Sequence, residues 1–433
     1  MGNSLGKRLT RGLLVVVGVA LALACAASGW GDSAAPLPFW PQGGVIGRDL
    51  YLGNFVDLDP AAGVTLDPFC GHRTYDTHSG DDVTIRSFRE AAIGVPVFSA
   101  TDGTVREVVD GYYDWHYGSN VSAFDNHVVV DAADGRTFVY GHLRHGIRLR
   151  KGVKVRAGRQ LGWTASSGNS SWPHLHLTEI VDQTPRDPFA GPCNPGPSGF
   201  VSQPALPDGP YVRNLVVSPQ PFRGHAQLPW DAAKRTGTFV RGSRDLWFRV
   251  ELGEYSPAAE RVQLVRPDGS VGLDDASPDA VVDGIGQGHG QAAFDLHERA
   301  TFDVPGTWRL RYQLGGRLLA DAPLTVVARP SLVRNRAPSA VGVSLVPAVP
   351  RAHEPAECVV ATPLVARDPD YDIVRYRYRW TVAGRVVRSV WSAALSDELA
   401  RDAAKPGQRI SCAVTPSDGK LSARPAAVSA TAA

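Results

Sequence analysis

The sequence predicts a mainly β protein, and three observations support this fold class. Short runs such as LWFRVEL and TWRLRYQL alternate apolar and polar residues, which is the period of a strand with one buried face. The 45 Gly and 33 Pro residues are spread along the chain, as expected where turns join many short strands. No region has a sustained helical period, and the one candidate helix is LSDELARDAAK at 395–405.

The chain is long enough for about three domains, and its composition divides it accordingly. We expect a first domain at 36–200, which holds most of the histidines. A stretch dense in Pro and Gly, 190–211, predicts a linker at its end. The blocks at 212–329 and 339–430 are separated by a second Pro-rich passage, and we predict a β-sandwich accessory domain for each.

Composition and charge exclude several classes of protein. Hydrophobic residues make up 43% of the chain and charged residues 20%, which disfavours both disorder and a polytopic membrane protein. The formal net charge is +2, and no contiguous Lys/Arg run follows the first residues. We therefore expect no nucleic-acid partner. The sequence does not indicate an oligomeric state.

The N-terminus has the features of an export signal. Basic residues before position 12 precede the apolar run LLVVVGVALALACAA at 13–27, which ends in small residues. This predicts a signal peptide over 1–30 and an exported protein, in the periplasm, in the cell envelope or secreted. Two alternatives stay open: a retained single anchor helix, and a lipid on Cys25, which follows ALA in a weak lipobox pattern. Any membrane contact is expected only through that anchor or lipid.

Cysteine usage agrees with export. Beyond the signal region, Cys70 and Cys193 bracket the first domain, while Cys358 and Cys412 lie within the last block. In an oxidising compartment this arrangement predicts the disulfides Cys70–Cys193 and Cys358–Cys412. The alternative is four buried thiols in a reducing cytosol. No C-x-x-C is present, so a thiolate zinc site is not supported.

Two histidines of WPHLHLTEI lie two residues apart, and side chains at that spacing share one face of a strand. These are His174 and His176. Upstream, THSGDD places His78 four residues before Asp82. Imidazole and carboxylate are good zinc ligands, and a catalytic zinc takes three protein ligands and leaves a position for water. His78, Asp82 and one histidine of the pair would complete that set, although each short motif also occurs by chance.

The segments between these motifs carry a family resemblance. In order they are GVPVFSATDGTVREVVDG, YGHL, and GIRLRKGVKVRAGRQLGWTASSG, which precedes HLH. With THSGDD they resemble peptidase family M23, the lysostaphin and LytM type of zinc endopeptidase, over roughly residues 65–181. In the last block, Cys358, Trp380 and Cys412 follow the order of an immunoglobulin-type core, and the block resembles Ig-like or PKD-like modules.

The resemblance implies a role for each motif residue. It implies an antiparallel-sheet metallopeptidase domain in which His78, Asp82 and His176 bind Zn²⁺, while His142 and His174 are unliganded catalytic histidines. Asp81 is the alternative carboxylate beside Asp82, and the family spacing favours Asp82. The insertion VTIRSFREAA at 83–92 lengthens the segment after Asp82, where it would reshape the groove.

The implied activity is hydrolysis of peptide bonds in bacterial cell-wall peptidoglycan by metal-activated water, so the expected partner is a peptidoglycan peptide. Two alternatives stay open. One is a non-catalytic envelope protein whose M23-like domain binds peptidoglycan or an amidase partner. The other is a secreted protease that acts on extracellular proteins. Four further histidines match no family position and are expected to be surface or hydrogen-bonded residues: His72, His116, His127 and His145. For His116, which lies in an aromatic loop, lining of the groove is an alternative.

Overall fold

The computed structural model describes residues 35–117, 124–222, 234–277, 280–281 and 290–433, with only the backbone at 280–281. The predicted signal peptide and Cys25 lie outside the described residues. Within the described part, no helix is long and apolar enough to cross a membrane. The described chain is almost entirely strands and turns, which confirms the predicted mainly β class.

The first block is built on an antiparallel sheet in the order β1-β2-β9-β6-β5-β4-β7, with β10 paired to β9, and β3 pairs with β8 beside it. A short helix, α1, follows β2. The bounds are β1 Tyr51–Asn54, β2 Asp81–Thr84, α1 Phe88–Ile93, β3 Pro96–Phe98, β4 Gly103–Val109, β5 His127–Ala132, β6 Thr137–Gly141, β7 Lys154–Val155, β8 Gln160–Trp163, β9 His174–Val181 and β10 Thr184–Arg186.

The predicted insertion at 83–92 forms the end of β2 and most of α1. Ser87 caps the helix by accepting a hydrogen bond from the Glu90 amide, and Gly94, at φ 120°, ends it. The buried ring of Phe88 packs edge-on against Trp172, with ring centroids 5.3 Å apart. The insertion is therefore fixed against the chain that leads into β9.

The second block contains two sheets, in the orders β11-β13-β17-β16 and β12-β19-β18-β14-β15. Their inward faces share one hydrophobic core that includes Phe248, Leu296 and Trp308. The bounds are β11 Tyr211–Ser218, β12 Thr238–Val240, β13 Asp245–Gly253, β14 Glu260–Val265, β15 Val271–Asp275, β16 Ala280–Val281, β17 Ala292–Arg299, β18 Gly306–Leu314 and β19 Arg317–Val327, followed by a 3₁₀ turn at Pro330–Leu332.

The third block also pairs two sheets, in the orders β20-β21-β24 and β23-β22-β25-β26. Trp380, on β22, is fully buried, as expected for a core residue, and its indole donates to the Asp397 carboxylate at 2.9 Å. The bounds are β20 Gly342–Val346, β21 Ala356–Ala361, β22 Arg375–Val382, β23 Arg385–Ser392, β24 Ser396–Leu399, β25 Arg409–Ser417 and β26 Ala426–Thr431.

The candidate helix at 395–405 is wrong. Ser396–Leu399 forms β24, which pairs antiparallel with β21, and turns follow it. All four residues of β24 are buried. Here tertiary strand pairing and burial on both sides override a weak local helical period.

The three blocks pack against one another. Asp49 of the first block accepts a hydrogen bond from the amide of Leu395 at 2.7 Å, and the Ser396 hydroxyl accepts one from the Gly44 amide at 2.9 Å. Ala393 and Ala394, from the third block, belong to the hydrophobic core of the first. The accessory blocks therefore share buried surface with the first domain.

The stretch predicted as a linker, 190–211, is anchored at its start. Phe200 is buried and stacks obliquely on Phe189, with ring centroids 5.0 Å apart. Both predicted disulfides are present, and Cys70–Cys193 joins this stretch to the loop before β2. Cys358–Cys412 joins β21 to β25, and so links the two sheets of the third block.

Removing either disulfide should destabilise the fold. The Cys70→Ala/Cys193→Ala variant is expected to lose about 3–5 kcal/mol in free energy of unfolding, because a bond across 123 residues strongly restricts the unfolded chain. Cys358→Ala/Cys412→Ala, across 54 residues, should lose slightly less than the first variant because the closed loop is shorter. Urea unfolding measures both losses. Peptide mapping without reductant checks the pairing, and free thiols at Cys70 and Cys193 would contradict it.

Candidate metal centre

Three neighbouring strands assemble the candidate site. The antiparallel register of β2 and β9 sets Asp82 opposite His176 and Thr84 opposite His174. On the other side of β9, Gly141 at the end of β6 lies opposite His176, so His142 follows immediately. His78 comes from the loop before β2. Residues far apart in the chain meet because strand pairing aligns their alternating side chains on one face.

The structure brings His78, Asp82 and His176 together. Each offers one ligand atom, and these three atoms all lie within 4.8 Å of one another. His78 Nε2 lies 3.2 Å from Asp82 Oδ2 and 3.3 Å from His176 Nδ1. His176 Nδ1 lies 2.9 Å from Asp82 Oδ1. Ligand atoms around a tetrahedral zinc are roughly 3.3 Å apart, given bonds of about 2.0–2.1 Å. The spacing and the donor types fit zinc.

Neighbouring groups orient these side chains. His78 Nδ1 donates to the Phe55 carbonyl at 2.7 Å, and a carbonyl only accepts, so the lone pair of this imidazole is on Nε2. His176 Nε2 contacts the Thr178 hydroxyl at 3.0 Å, so the other ring nitrogen, Nδ1, faces His78 and Asp82. The amide of Asn54 donates to Asp82 Oδ2 at 2.9 Å. Such outer contacts hold metal ligands in place.

Asp82 is an ionised carboxylate. Burial raises its pKa, but the neighbouring His78 and His174 outweigh burial and hold the pKa well below its usual value. A metal ligand must be deprotonated, so this environment suits cation binding.

Gly80, in the middle of THSGDD, is required by close packing. A Cβ at this position would lie 2.6 Å from the Leu177 carbonyl oxygen and 2.7 Å from His176 Nε2. Real Cβ atoms do not come that close to other heavy atoms, so any side chain here would push the His176 ring or β9 away. The glycine between His78 and Asp82 is therefore what lets the loop approach His176.

Comparison with known proteins agrees with this geometry. Residues 78–188 match the sequence model of peptidase family M23, close to the expected 65–181. This segment is a peptidase family M23 domain. Glycyl-glycine endopeptidase ALE-1 of Staphylococcus capitis is 29% identical over 101 residues, which cover 22% of this chain and 25% of that relative. The match thus spans a quarter of that relative's length.

Two solved structures are similar to part of this chain. The catalytic domain of lysostaphin from Staphylococcus simulans is 22% identical, with a TM-score of 0.22, and the alignment covers 33% of this chain and 90% of that one. A zinc-containing peptidase from Vibrio cholerae is 24% identical, with a TM-score of 0.21, and 32% and 39% of the two chains are covered.

The two other motif histidines of the M23 domain lie beside the group. The rings of His142 and His174 are 4.4 Å apart, and His174 Nε2 is 3.3 Å from Asp82 Oδ1. His142 Nδ1 donates to the Ser167 carbonyl at 2.6 Å, and His174 Nδ1 donates to the Trp172 carbonyl at 2.7 Å. Each imidazole therefore carries its proton on Nδ1 and its lone pair on Nε2 when neutral.

His142 has a constrained backbone and an altered basicity. Its φ of 57° lies in the left-handed region, which is uncommon for residues other than glycine and clusters at functional sites. Burial, together with the nearby charges of His174 and His176, lowers the pKa of His142 to about 3. His142 is therefore neutral near pH 7.

Asp81 lies apart from the ligand group. It precedes Asp82 on β2, so its side chain is on the opposite face, and it is buried. Burial and the neighbouring Asp187 raise its pKa well above the usual value. The other four histidines also lie apart from the group. Their contacts are His72 with Thr65, His127 with Asp125, His145 with Asp114, and His116 with the ring of Tyr113.

Several supporting residues of the M23 domain are not evident from the sequence. Asn54 and the Phe55 carbonyl come from β1 and the chain after it, and no local pattern connects them to the histidines. Asp125 accepts a hydrogen bond from the His142 amide at 3.3 Å. Thr178 was accessible to sequence reasoning, because it lies two residues after His176 and so shares its face of the strand.

The second block also reaches this region. Arg213, fully buried on β11, donates to the Thr84 carbonyl at 3.2 Å. Thr84 donates from its hydroxyl to the Gln291 side chain at 3.4 Å. Because Thr84 is opposite His174, the second block supports the end of β2 beside the site.

The Gly80→Ala variant tests the close packing at the site. We expect its affinity for zinc to fall about tenfold or more, because the added methyl group displaces His176. Competition with a chromophoric chelator measures the affinity. Gly209→Ala is the matched control, since Gly209, like Gly80, is outside the left-handed region and an added Cβ would meet only the flexible Arg317 side chain at 3.3 Å; it should bind zinc like the wild type. Equal zinc affinity in the wild type and Gly80→Ala would contradict the packing argument.

Proposed function

We propose that the protein is an exported, zinc-dependent endopeptidase that hydrolyses peptide bonds in cell-wall peptidoglycan. The observation that carries this proposal is the complete His78–Asp82–His176 group with two further histidines beside it. A domain that only binds its target would need neither an intact ligand set nor these two side chains. The disulfides are consistent with export.

His78, Asp82 and His176 would hold the metal. A zinc ion in such a site acts as a Lewis acid towards a carbonyl oxygen and lowers the pKa of bound water to about 7. The chain itself supplies the fixed ligand positions, through the contacts of the Phe55 carbonyl and Asn54.

His142 and His174 are the residues proposed to act on the substrate. Their Nδ1 atoms are held by backbone carbonyls, so both rings are fixed beside the ligand group. A neutral imidazole Nε2 can accept a proton from the attacking water, and a protonated one can donate to the developing oxyanion or the leaving amine. Fixed rings avoid reorganisation during the reaction, and this is where such groups contribute most.

The substrate class is proposed from the family and from its relative in Staphylococcus capitis, which is a glycyl-glycine endopeptidase by name. Digestion of purified peptidoglycans, followed by mass spectrometry of the released termini, tests it. New amino termini within the wall peptides are expected. Cleavage of soluble extracellular proteins with no release from peptidoglycan would contradict it.

Single Ala variants separate the two proposed roles. Replacing His78, Asp82 or His176 removes one of only three protein ligands, so zinc content and peptidoglycan turnover should both fall strongly. Replacing His142 or His174 should retain zinc and lower turnover about 10²- to 10⁴-fold. Elemental analysis and release of wall peptides measure the two quantities on the same preparations.

His72→Ala is the matched control, because this exposed histidine of the same domain contacts Thr65, away from the ligand group and from the partners of His142. It should keep both zinc and turnover. A His174→Ala protein that loses zinc while His176→Ala keeps it would reverse the assignment of the pair. Wild-type protein that holds zinc and cleaves no wall peptide would support the binding-only alternative.

A further inference from the structure

A cleft lies where the first and third blocks meet. It has a volume of about 700 Å³ and takes its walls from the hairpin before β8, from β8 itself and from β23 and β24 of the third block. Arg144, Arg148, Arg159 and Trp163 line one side, and Arg388 and Glu398 line the other. Clefts between domains are frequent ligand sites.

The hairpin that forms one wall is strongly cationic. Apart from the adjacent Arg150 and Lys151, its cations are separated by other residues, and no acidic residue lies between 144 and 159. The seven cations are Arg144, Arg148, Arg150, Lys151, Lys154, Arg156 and Arg159. Arg156 pairs with Asp102 at 2.8 Å. Within the described residues, Arg148 and Arg159 form no ion pair, so two guanidinium charges at this cleft are uncompensated, whereas Arg144 interacts with the charge of Asp114.

The walls of the cleft are held in place. Arg144 donates to the carbonyls of Ala91 and Ala92 at the end of α1, both at 3.2 Å, and lies over the Trp163 ring. Arg388 pairs with Asp397 and also donates to Gln160 of the first block at 3.0 Å, so it bridges the two walls. Arg148 and Arg159 remain exposed between these fixed walls.

We propose that this cleft binds an anionic polysaccharide through phosphate or carboxylate groups, at a site distinct from the metal centre. Guanidinium groups match both anions because their planar donors form paired hydrogen bonds. The anion chemistry follows from the uncompensated arginines. The choice of a polysaccharide rests on the proposed wall substrate. Binding at this cleft would hold the peptidase domain next to the polymer that the domain is proposed to cut.

The test uses the full chain and sedimentation with purified cell walls at low salt. Arg148→Ala/Arg159→Ala should bind about tenfold more weakly than the wild type, because two exposed charged contacts are lost. The control is Arg150→Ala/Lys151→Ala, which removes the same charge from the same hairpin but outside this cleft. The control should change affinity less than about twofold, and Arg148→Lys/Arg159→Lys should lose less than the Ala pair because the charge remains.

Walls stripped of phosphodiester polymers identify the source of the anion. Loss of binding after stripping assigns phosphate, and unchanged binding assigns carboxylate; either result supports the site if the Ala pair is weakened selectively. Equal weakening of both double variants would show diffuse attraction and overturn the proposal, as would binding to anionic lipid vesicles in place of walls. Turnover of a soluble wall peptide should be unchanged in both double variants. If the wild type cleaves nothing but shows this selective binding, the cleft proposal stands and the proposed activity fails.

Discussion

The register between β2 and β9 is the constraint on which the rest of the site depends. It places Asp82 opposite His176 and Thr84 opposite His174, and the next strand along, β6, ends opposite His176. Side chains alternate along a strand, so a slip of one residue in β2 would put Asp81 in the place of Asp82, and a slip of one residue in β9 would turn His176 away from its partners. A single pairing thus determines which carboxylate and which histidine can share a cation.

This register is secured by packing on both sides. Gly80 allows the loop that carries His78 to approach β9, because no side chain fits between Gly80 and His176. Below the site, Val83 and Leu175 are buried in the core of the first block. The buried face of the sheet fixes the register by the hydrophobic effect, and the polar face then presents the ligands.

The second and third blocks form hydrogen bonds with the first block near the site, and the third contributes buried residues to its core. The second block reaches Thr84 through Arg213, and the third packs against the end of α1, where Ala393 donates to the Gly94 carbonyl. Burial of Ala393 and Ala394 in the first core links the position of the third block to that of the insertion. The cationic cleft exists only because the first and third blocks meet.

Local sequence was sufficient for the mainly β class and the disulfide pairs, because periodicity and cysteine position are properties of short segments. The family resemblance, and not spacing alone, named the three residues that the structure brings together at the candidate site. Local sequence failed at 395–405, where a helical period was overridden by pairing with β21. It also did not reveal Asn54, Asp125 or Arg213, since their proximity to the site depends on contacts between distant segments. The tertiary structure alone decided which charges are compensated. Arg156 forms an ion pair with Asp102, whereas Arg148 forms none with any carboxylate among the described residues, because ion pairing depends on distance in space.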